Sequence, residues 1–321
     1  GMDVDSGGFW IIDDTGYPKK GKHSVGVARQ YCGQLGKQDN CQVAVSVSVA
    51  NERYSLPVGY RLYLPEEWAE DAERRRKAKV PQEIAFATKP AIALALLREL
   101  KAAGALPPLA IADAGYGNGG EFRDALRALE IDYVVGITST PKVWPQGVEP
   151  APPKPYGGRG RKPLRRPPDA DHQPLSVKEL AVSLSSRRYR QVGWRDGSNT
   201  PLAARSAATR VRCVRREGER AELEPEQWLL IEWPAGQSEP EKYFLSSLPA
   251  TTPIRELVRL AKLRWRIERD YQELKQELGL GQFEGRSWRG FHHHASLCIA
   301  AYGFLVAERL TAPKKTLRHP F

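Results

Sequence analysis

The 321-residue sequence predicts a mixed α/β protein. Short apolar runs end in acidic residues, as in FWII at Phe9–Ile12 before Asp13. Gln42–Ala50 (QVAVSVSVA) alternates with period two, and a strand, a helix and a strand follow one another between residues 109 and 137. Hydrophobic residues make up 41% of the chain and charged residues 27%, an ordinary globular balance that excludes disorder as the main state.

Taken in order, Phe9–Ile12 is apolar and short enough for a buried strand, and Gln42–Ala50 and Tyr60–Leu64 (YRLYL) supply two more. Together they form a meander of antiparallel strands after Asp13. Lys89–Ala103 is rich in Ala and Leu, with Pro90 early enough for a helix to tolerate it. Leu109–Ala112, Glu121–Leu129 and Tyr133–Ile137 read as strand, helix and strand. From Pro141 to Pro174 the composition turns to proline and basic residues, as in KPYGGRGRKPLRR at Lys154–Arg166; this segment cannot bury a core and reads as an extended arm or linker. Short β-like runs, among them Val211–Val214 and Trp228–Trp233, make Val182–Leu248 a β-rich insertion. Thr252 and Pro253 offer a cap and a first-turn proline for a long helix to about Leu278, and an apolar helix follows from about Phe291. The expected division is a first core part over 1–137, linker and insertion over 138–250, and C-terminal helices over 251–321.

The net charge of +11 points to a polyanionic partner, nucleic acid first. The longest apolar stretch, Ala295–Ala307, is shorter than the roughly 18 residues of a bilayer span, so no membrane association is expected. The N-terminus lacks the basic and apolar regions of a secretory signal. Cys32, Cys41, Cys213 and Cys298 form neither a zinc signature nor a dense disulfide framework, which fits reduced thiols in the cytoplasm.

Two glycine motifs invite a nucleotide reading. Gly16–Lys22 (GYPKKGK) follows the phosphate-loop pattern up to His23, which stands where Ser or Thr would bind magnesium, and no helix start follows. Gly115, Gly117 and Gly120 form G-x-G-x-x-G between a strand and a helix, but the carboxylate of Asp113 would repel a pyrophosphate, and Asp132 precedes its strand instead of ending it. A nucleotide-binding enzyme is the lesser alternative.

Asp13 and Asp113 each close an apolar run, IIDD and LAIAD, and on neighbouring strands they would emerge at one sheet edge and could hold magnesium; turn or cap residues show the same pattern. Counting from Ala261, Arg264, Glu268 and Lys275 stand three, seven and fourteen residues on, within an arc of about 60° on a continuous helix. Leu260, Leu263, Ile267, Leu274 and Leu278 take the adjoining arc. An acid flanked by cations suits a catalytic face, and it equally suits an Arg264–Glu268 pair in solvent. His292, His293 and His294 point in different directions on a helix, so packing or DNA contact is expected of them, not a metal cluster.

IIDDT at Ile11–Thr15, LAIADAGYG at Leu109–Gly117 and RWRIERDYQELK at Arg264–Lys275, with EGRSWRGFHHHASL after them, resemble the bacterial insertion-sequence transposases of the DDE superfamily. The group resembled carries a Y-(2)-R-(3)-E-(6)-K signature on its last catalytic helix. The resemblance implies an RNase H-like fold, a mixed five-stranded sheet flanked by helices with a β-rich insertion before that helix. It implies a catalytic, metal-holding triad of Asp13, Asp113 and Glu268 with two Mg2+ ions, Mn2+ being an acceptable substitute. Asp14 is the rival to Asp13, which Thr15 favours by standing two residues on. Arg264 and Lys275 match the basic positions and would contact DNA phosphates, whereas Ala261 occupies the position of the signature Tyr. Further DNA contacts are expected from Lys19, Lys20 and Lys22 and, in the arm, from Arg159, Arg161 and Lys162; both segments also fit solvated loops.

The implied activity is metal-dependent cleavage and strand transfer at transposon ends. Its partners would be double-stranded DNA, as ends and as target, and a second copy of the chain in a synaptic homodimer, in the cytoplasm at the nucleoid. A first catalytic Asp at position 13 leaves no room for an N-terminal end-binding domain, so a fragment, a truncated copy or a catalytic core is expected, with a catalytically silent DNA-binding remnant as the main alternative.

Overall fold

A computed structural model describes residues 8–51, 53–105, 109–148, 157–158, 173–195, 202–214 and 224–311. Arg159, Arg161 and Lys162 lie outside these residues. The structure is mixed α/β and divides into two compact units, Gly1–Pro108 with Trp265–Phe321, and Leu109–Arg264.

The first unit opens with β1 (Phe9–Pro18), β2 (Ala28–Cys32), β3 (Lys37–Ala50) and β4 (Ser55–Leu62), all pairing antiparallel with β3 at the centre. The apolar run ends at Ile12, but the strand does not: β1 stays in register with β3 as far as Pro18, opposite Cys41. Asp13 is therefore a mid-strand residue, correcting the expectation of a strand-end acid. Ladder hydrogen bonds depend on backbone register and carry the strand through a charged pair.

Short helices α1 (Glu66–Glu70) and α2 (Ala72–Ala78) follow, α2 capped by Asp71, whose side chain accepts from the Arg74 amide. Helix α3 (Lys89–Ala102) starts where expected, with Thr88 accepting from the Ala91 amide and proline in its first turn. Its buried face, Ile92, Ala93, Leu96 and Leu97, packs on β3 and β4. Each large aliphatic side chain buried this way contributes about 1.5–3 kcal/mol.

The second unit begins with β5 (Leu109–Ala112), α4 (Ala114–Gly117), α5 (Gly120–Ala128) and β6 (Asp132–Ile137); β5 and β6 are parallel, joined by the α4–α5 crossover. Then come β7 (Lys142–Pro145), β8 (Leu175–Ser176), α6 (Val177–Ser183), β9 (Arg190–Arg195), β10 (Leu202–Cys213), β11 (Gln227–Trp233), β12 (Lys242–Ser246) and α7 (Ile254–Lys262). The strands run β5-β6-β12-β11-β10-β7-β8, with β9 also on β10. Strands from the β-rich stretch thus extend the β5–β6 sheet directly, with Ser246 opposite Val134. Leading into that stretch, α6 is helical, started by a capping box in which Ser176 and Glu179 each bond the other's backbone amide.

Of the G-x-G-x-x-G glycines, Gly117 has a packing role here. A Cβ on Gly117 would collide with the Gly136 carbonyl oxygen and lie 2.8 Å from the Val135 Cβ, so only glycine lets α4 sit on β6. We expect Gly117→Ala to destabilise the protein by about 3 kcal/mol in urea unfolding, because the obstruction is backbone and cannot rotate away. Gly119→Ala, whose Cβ would meet nothing closer than 3.6 Å, should cost far less.

The long C-terminal helix expected from Thr252 to Leu278 is two helices. Helix α7 closes with the Leu263 amide on the Leu260 carbonyl, a tightened last turn, and α8 (Trp265–Gln276) begins two residues later and belongs to the first unit. Helix α9 (Trp288–Thr311) completes that unit, three residues earlier than expected. No helix among the described residues is long and apolar enough to cross a membrane. All four cysteines are buried and free.

Candidate active site

Successive residues of a strand face opposite ways, so β1 sends Asp13 and Asp14 to different sides of its sheet. Asp13, 9% exposed, lies opposite Ser46 in the β1–β3 register, and the Ser46 hydroxyl is 2.5 Å from the Tyr271 hydroxyl of α8. Cross-strand partners share a face, so Asp13 lies on the side of the sheet covered by α8. Its Oδ1 accepts from the Asp14 amide at 2.9 Å. Burial pushes the Tyr271 hydroxyl well above the ordinary tyrosine range, and the nearby Asp13 carboxylate pushes it further. Asp14 lies opposite Val45, and its Oδ2 pairs at 2.8 Å with Lys89, the first residue of α3. The two rival aspartates therefore meet different helices.

Helix α8 buries Ile267, Asp270, Tyr271 and Leu274, which recur at helical spacing, and leaves Glu268 exposed. Asp270 is held by two hydroxyls, Ser55 at 2.5 Å and Tyr302 at 3.0 Å, joining α8 to β4 and α9. Burial raises its carboxyl to about 6 despite both hydrogen bonds. Lys275 lies two turns beyond Glu268 on the same side of the helix. Its ammonium donates to the Gly16 carbonyl at 2.8 Å and to Gln34 Oε1 at 3.1 Å, above the Tyr17 ring, and burial lowers it to about 8. Lys275 thus fastens α8 to the far end of β1, an engagement that sequence spacing did not reveal.

The other candidates are placed as follows. Asp113 follows β5 in the second unit and caps α4, its Oδ1 accepting from the Gly115 amide at 2.9 Å. Arg264 is the last residue of the second unit, and Ala261 is buried in α7. The helix break puts these two outside the helix of Glu268 and Lys275, so the continuous-helix arc drawn from Ala261 does not hold. Lys19 turns inward, its ammonium donating to the Phe283 carbonyl, whereas Lys20 and Lys22 are exposed. His292 and His294 pack: His292 contacts the Trp288 carbonyl and accepts from the Leu62 amide, and His294 contacts the Gly279 carbonyl. Sequence reasoning missed Ser46, Lys89 and the Ser55–Asp270–Tyr302 group; of these only Asp270 carried a signal, its helical spacing with Ile267, Tyr271 and Leu274.

A family model described as DDE superfamily endonuclease matches residues 4–201, more than half of the chain. The chain belongs to that family. The match includes Asp13, Asp14 and Asp113 and ends before Glu268, whose assignment rests on the signature spacing. The chain is also similar to the probable transposase for insertion sequence element IS701 of Microchaete diplosiphon, with 37% identity over 130 residues. That alignment covers 40% of this chain and 31% of the relative, so the chain spans under a third of the relative's length. The NurA nuclease from Sulfolobus solfataricus aligns with 94% of this chain and 85% of its own at 9% identity and a TM-score of 0.33, a likeness too weak to fix the fold.

Endonucleases of this family use divalent metal ions. Carboxylate oxygens are the donors that hard divalent cations take, so the chemistry of the candidate residues fits. Among the described residues, however, no group of three or more His, Cys, Asp or Glu side chains could hold a metal ion.

Proposed function

We propose that the protein is a DNA transposase that cuts phosphodiester bonds at transposon ends and joins the freed ends to target DNA, with Asp13, Asp113 and Glu268 as catalytic carboxylates. The observation that carries this reading is the opposite facing of the two aspartates on β1: Asp13 lies under the helix of Glu268, while Asp14 is spent on Lys89. Family membership and the resemblance to an insertion-sequence transposase support it.

In this proposal the fold is RNase H-like, and Asp13, Asp113 and Glu268 would together hold two Mg2+ ions, which Mn2+ could replace. Bound there, the ions supply charge neutralisation and nucleophile activation for in-line displacement at phosphorus. The chain's own contribution is positional. Strand β1 fixes Asp13 by backbone register, and Tyr271 through Ser46 on β3 and Lys275 through Gly16 on β1 fix α8 against the sheet, setting the height of Glu268 above it. Arg264 is the signature cation proposed to hold a DNA phosphate. Both ends of the element would be held by two copies of the chain, acting in the cytoplasm at the nucleoid.

A second reading, a silent DNA-binding remnant, is favoured by the cap role of Asp113, whose Oδ1 is already engaged by the Gly115 amide. The deciding experiment incubates the chain with duplex DNA carrying its element's ends and Mg2+ or Mn2+. The wild type should nick the DNA, and Asp113→Asn, which keeps the cap acceptor of α4 and loses the charge, should bind without nicking. If the wild type also binds without nicking, the remnant reading stands.

A further inference from the structure

We infer that Lys20, Lys22 and Arg286 form a two-loop basic rim that grips the phosphate backbone of duplex DNA; the inference rests on the DNA reading above. The loop after β1, Pro18–Val27, and the segment Phe283–Trp288 before α9 are far apart in sequence but fastened together. The Val25 amide bonds the Arg286 carbonyl at 3.2 Å, and the Lys19 ammonium reaches the Phe283 carbonyl. Lys19 is consumed as the fastening, which leaves Lys20, Lys22 and Arg286 exposed on the two joined loops.

These cations differ from many others on the surface. Lys77, Lys142 and Lys178 each lie within 3.0 Å of a glutamate oxygen. Lys20, Lys22 and Arg286 have no such partner among the described residues, and the joined loops contain one acid, Glu284. Unpaired cations held by backbone ties, with almost no acid among them, are what a polyanion's backbone selects. The first of the two loops begins at the far end of the strand that carries Asp13. From Asp13 to Pro18 is five residues of extended strand, roughly 16 Å at about 3.3 Å per residue.

The test measures duplex DNA affinity against salt for the full chain. Each lost phosphate contact should make the slope of log K against log salt shallower by about 0.9, so the triple variant Lys20→Gln, Lys22→Gln, Arg286→Gln should lose about 2.7. Weakening should be uniform across sequences, because backbone contacts carry no base information. The control Lys77→Gln, Lys142→Gln, Lys178→Gln removes equal net charge from paired positions and should keep the wild-type slope. A triple variant with the wild-type slope, or a control that loses as much, overturns the rim while leaving DNA binding intact. A wild type that binds no duplex DNA overturns the DNA reading and the rim with it.

Discussion

Replacing Asp13 with Asn should abolish DNA nicking, by about a thousandfold or more, while Asp14→Asn keeps activity within a few fold. The two substitutions remove the same charge one residue apart, so bulk electrostatics cannot separate them. Only facing can. Asp13 lies on the side of the sheet with Ser46, Tyr271 and the helix of Glu268, and Asp14 on the side with Lys89 and α3. A catalytic carboxylate that holds metal is worth several kcal/mol of transition-state stabilisation, and about 4 kcal/mol is a thousandfold in rate. The Asp14–Lys89 pair is about a quarter exposed on each side chain, so its loss should cost about 0.5–1 kcal/mol of stability. Asn at position 13 still accepts the Asp14 amide, which keeps the local strand intact. Nicking rates and urea unfolding on both variants read the two effects separately. An inactive Asp14→Asn beside an active Asp13→Asn would reverse the assignment.

The choice between these residues shows what the sequence could and could not convey. IIDDT announced a strand and two acids, and period two guarantees that the acids diverge, but nothing local says which side α8 covers. That depends on Ser46, 33 residues on, and on Tyr271, 225 residues beyond Ser46. The same limit explains β1's length. Hydrophobic periodicity sees only apolar runs, whereas the ladder with β3 continues through Thr15, Gly16 and Tyr17 because backbone groups pair whatever the side chains are. The break between α7 and α8 left no trace either, since Leu263 and Arg264 are neither glycine nor proline and helix propensity runs straight through them. By contrast, the start of α3 at Lys89 with its early Pro90 and the β5–helix–β6 unit were legible, because first-turn prolines and short crossovers are written in adjacent residues. Gly117 was legible as a motif but not as a cause: the glycine answers to Gly136 across the α4–β6 contact.

Asp270→Asn should make the protein relatively more stable as pH rises from 4 to 7, by about 3 kcal/mol in the difference from wild type. Burial raises the Asp270 carboxyl to about 6 in the folded state, against about 3.9 in an unfolded chain. Between those values the native protein holds a proton that the unfolded chain has released. The stability contributed by Asp270 is therefore fully present below about pH 4 and is lost as pH rises to about 6. At about 1.4 kcal/mol for each tenfold change in proton affinity, the gap between those two values corresponds to roughly 3 kcal/mol. Above pH 6 the wild type carries a buried carboxylate held by the Ser55 and Tyr302 hydroxyls, pushed up further by Glu273 and opposed by Arg266. Asn is neutral throughout, so the loss disappears. Asp270→Ala should behave differently, costing about 2–3 kcal/mol at both pH values, because it strands two hydroxyls in the interior. Urea unfolding of the three proteins at pH 4 and pH 7 separates charge from hydrogen bonding. If Asn and wild type show the same pH dependence, Asp270 titrates as an ordinary carboxyl and its burial carries no electrostatic cost. If they diverge as expected, the wild type tolerates a strained carboxylate at neutral pH in the middle of α8, the helix that carries Glu268, where two hydroxyl contacts fix that helix to β4 and α9.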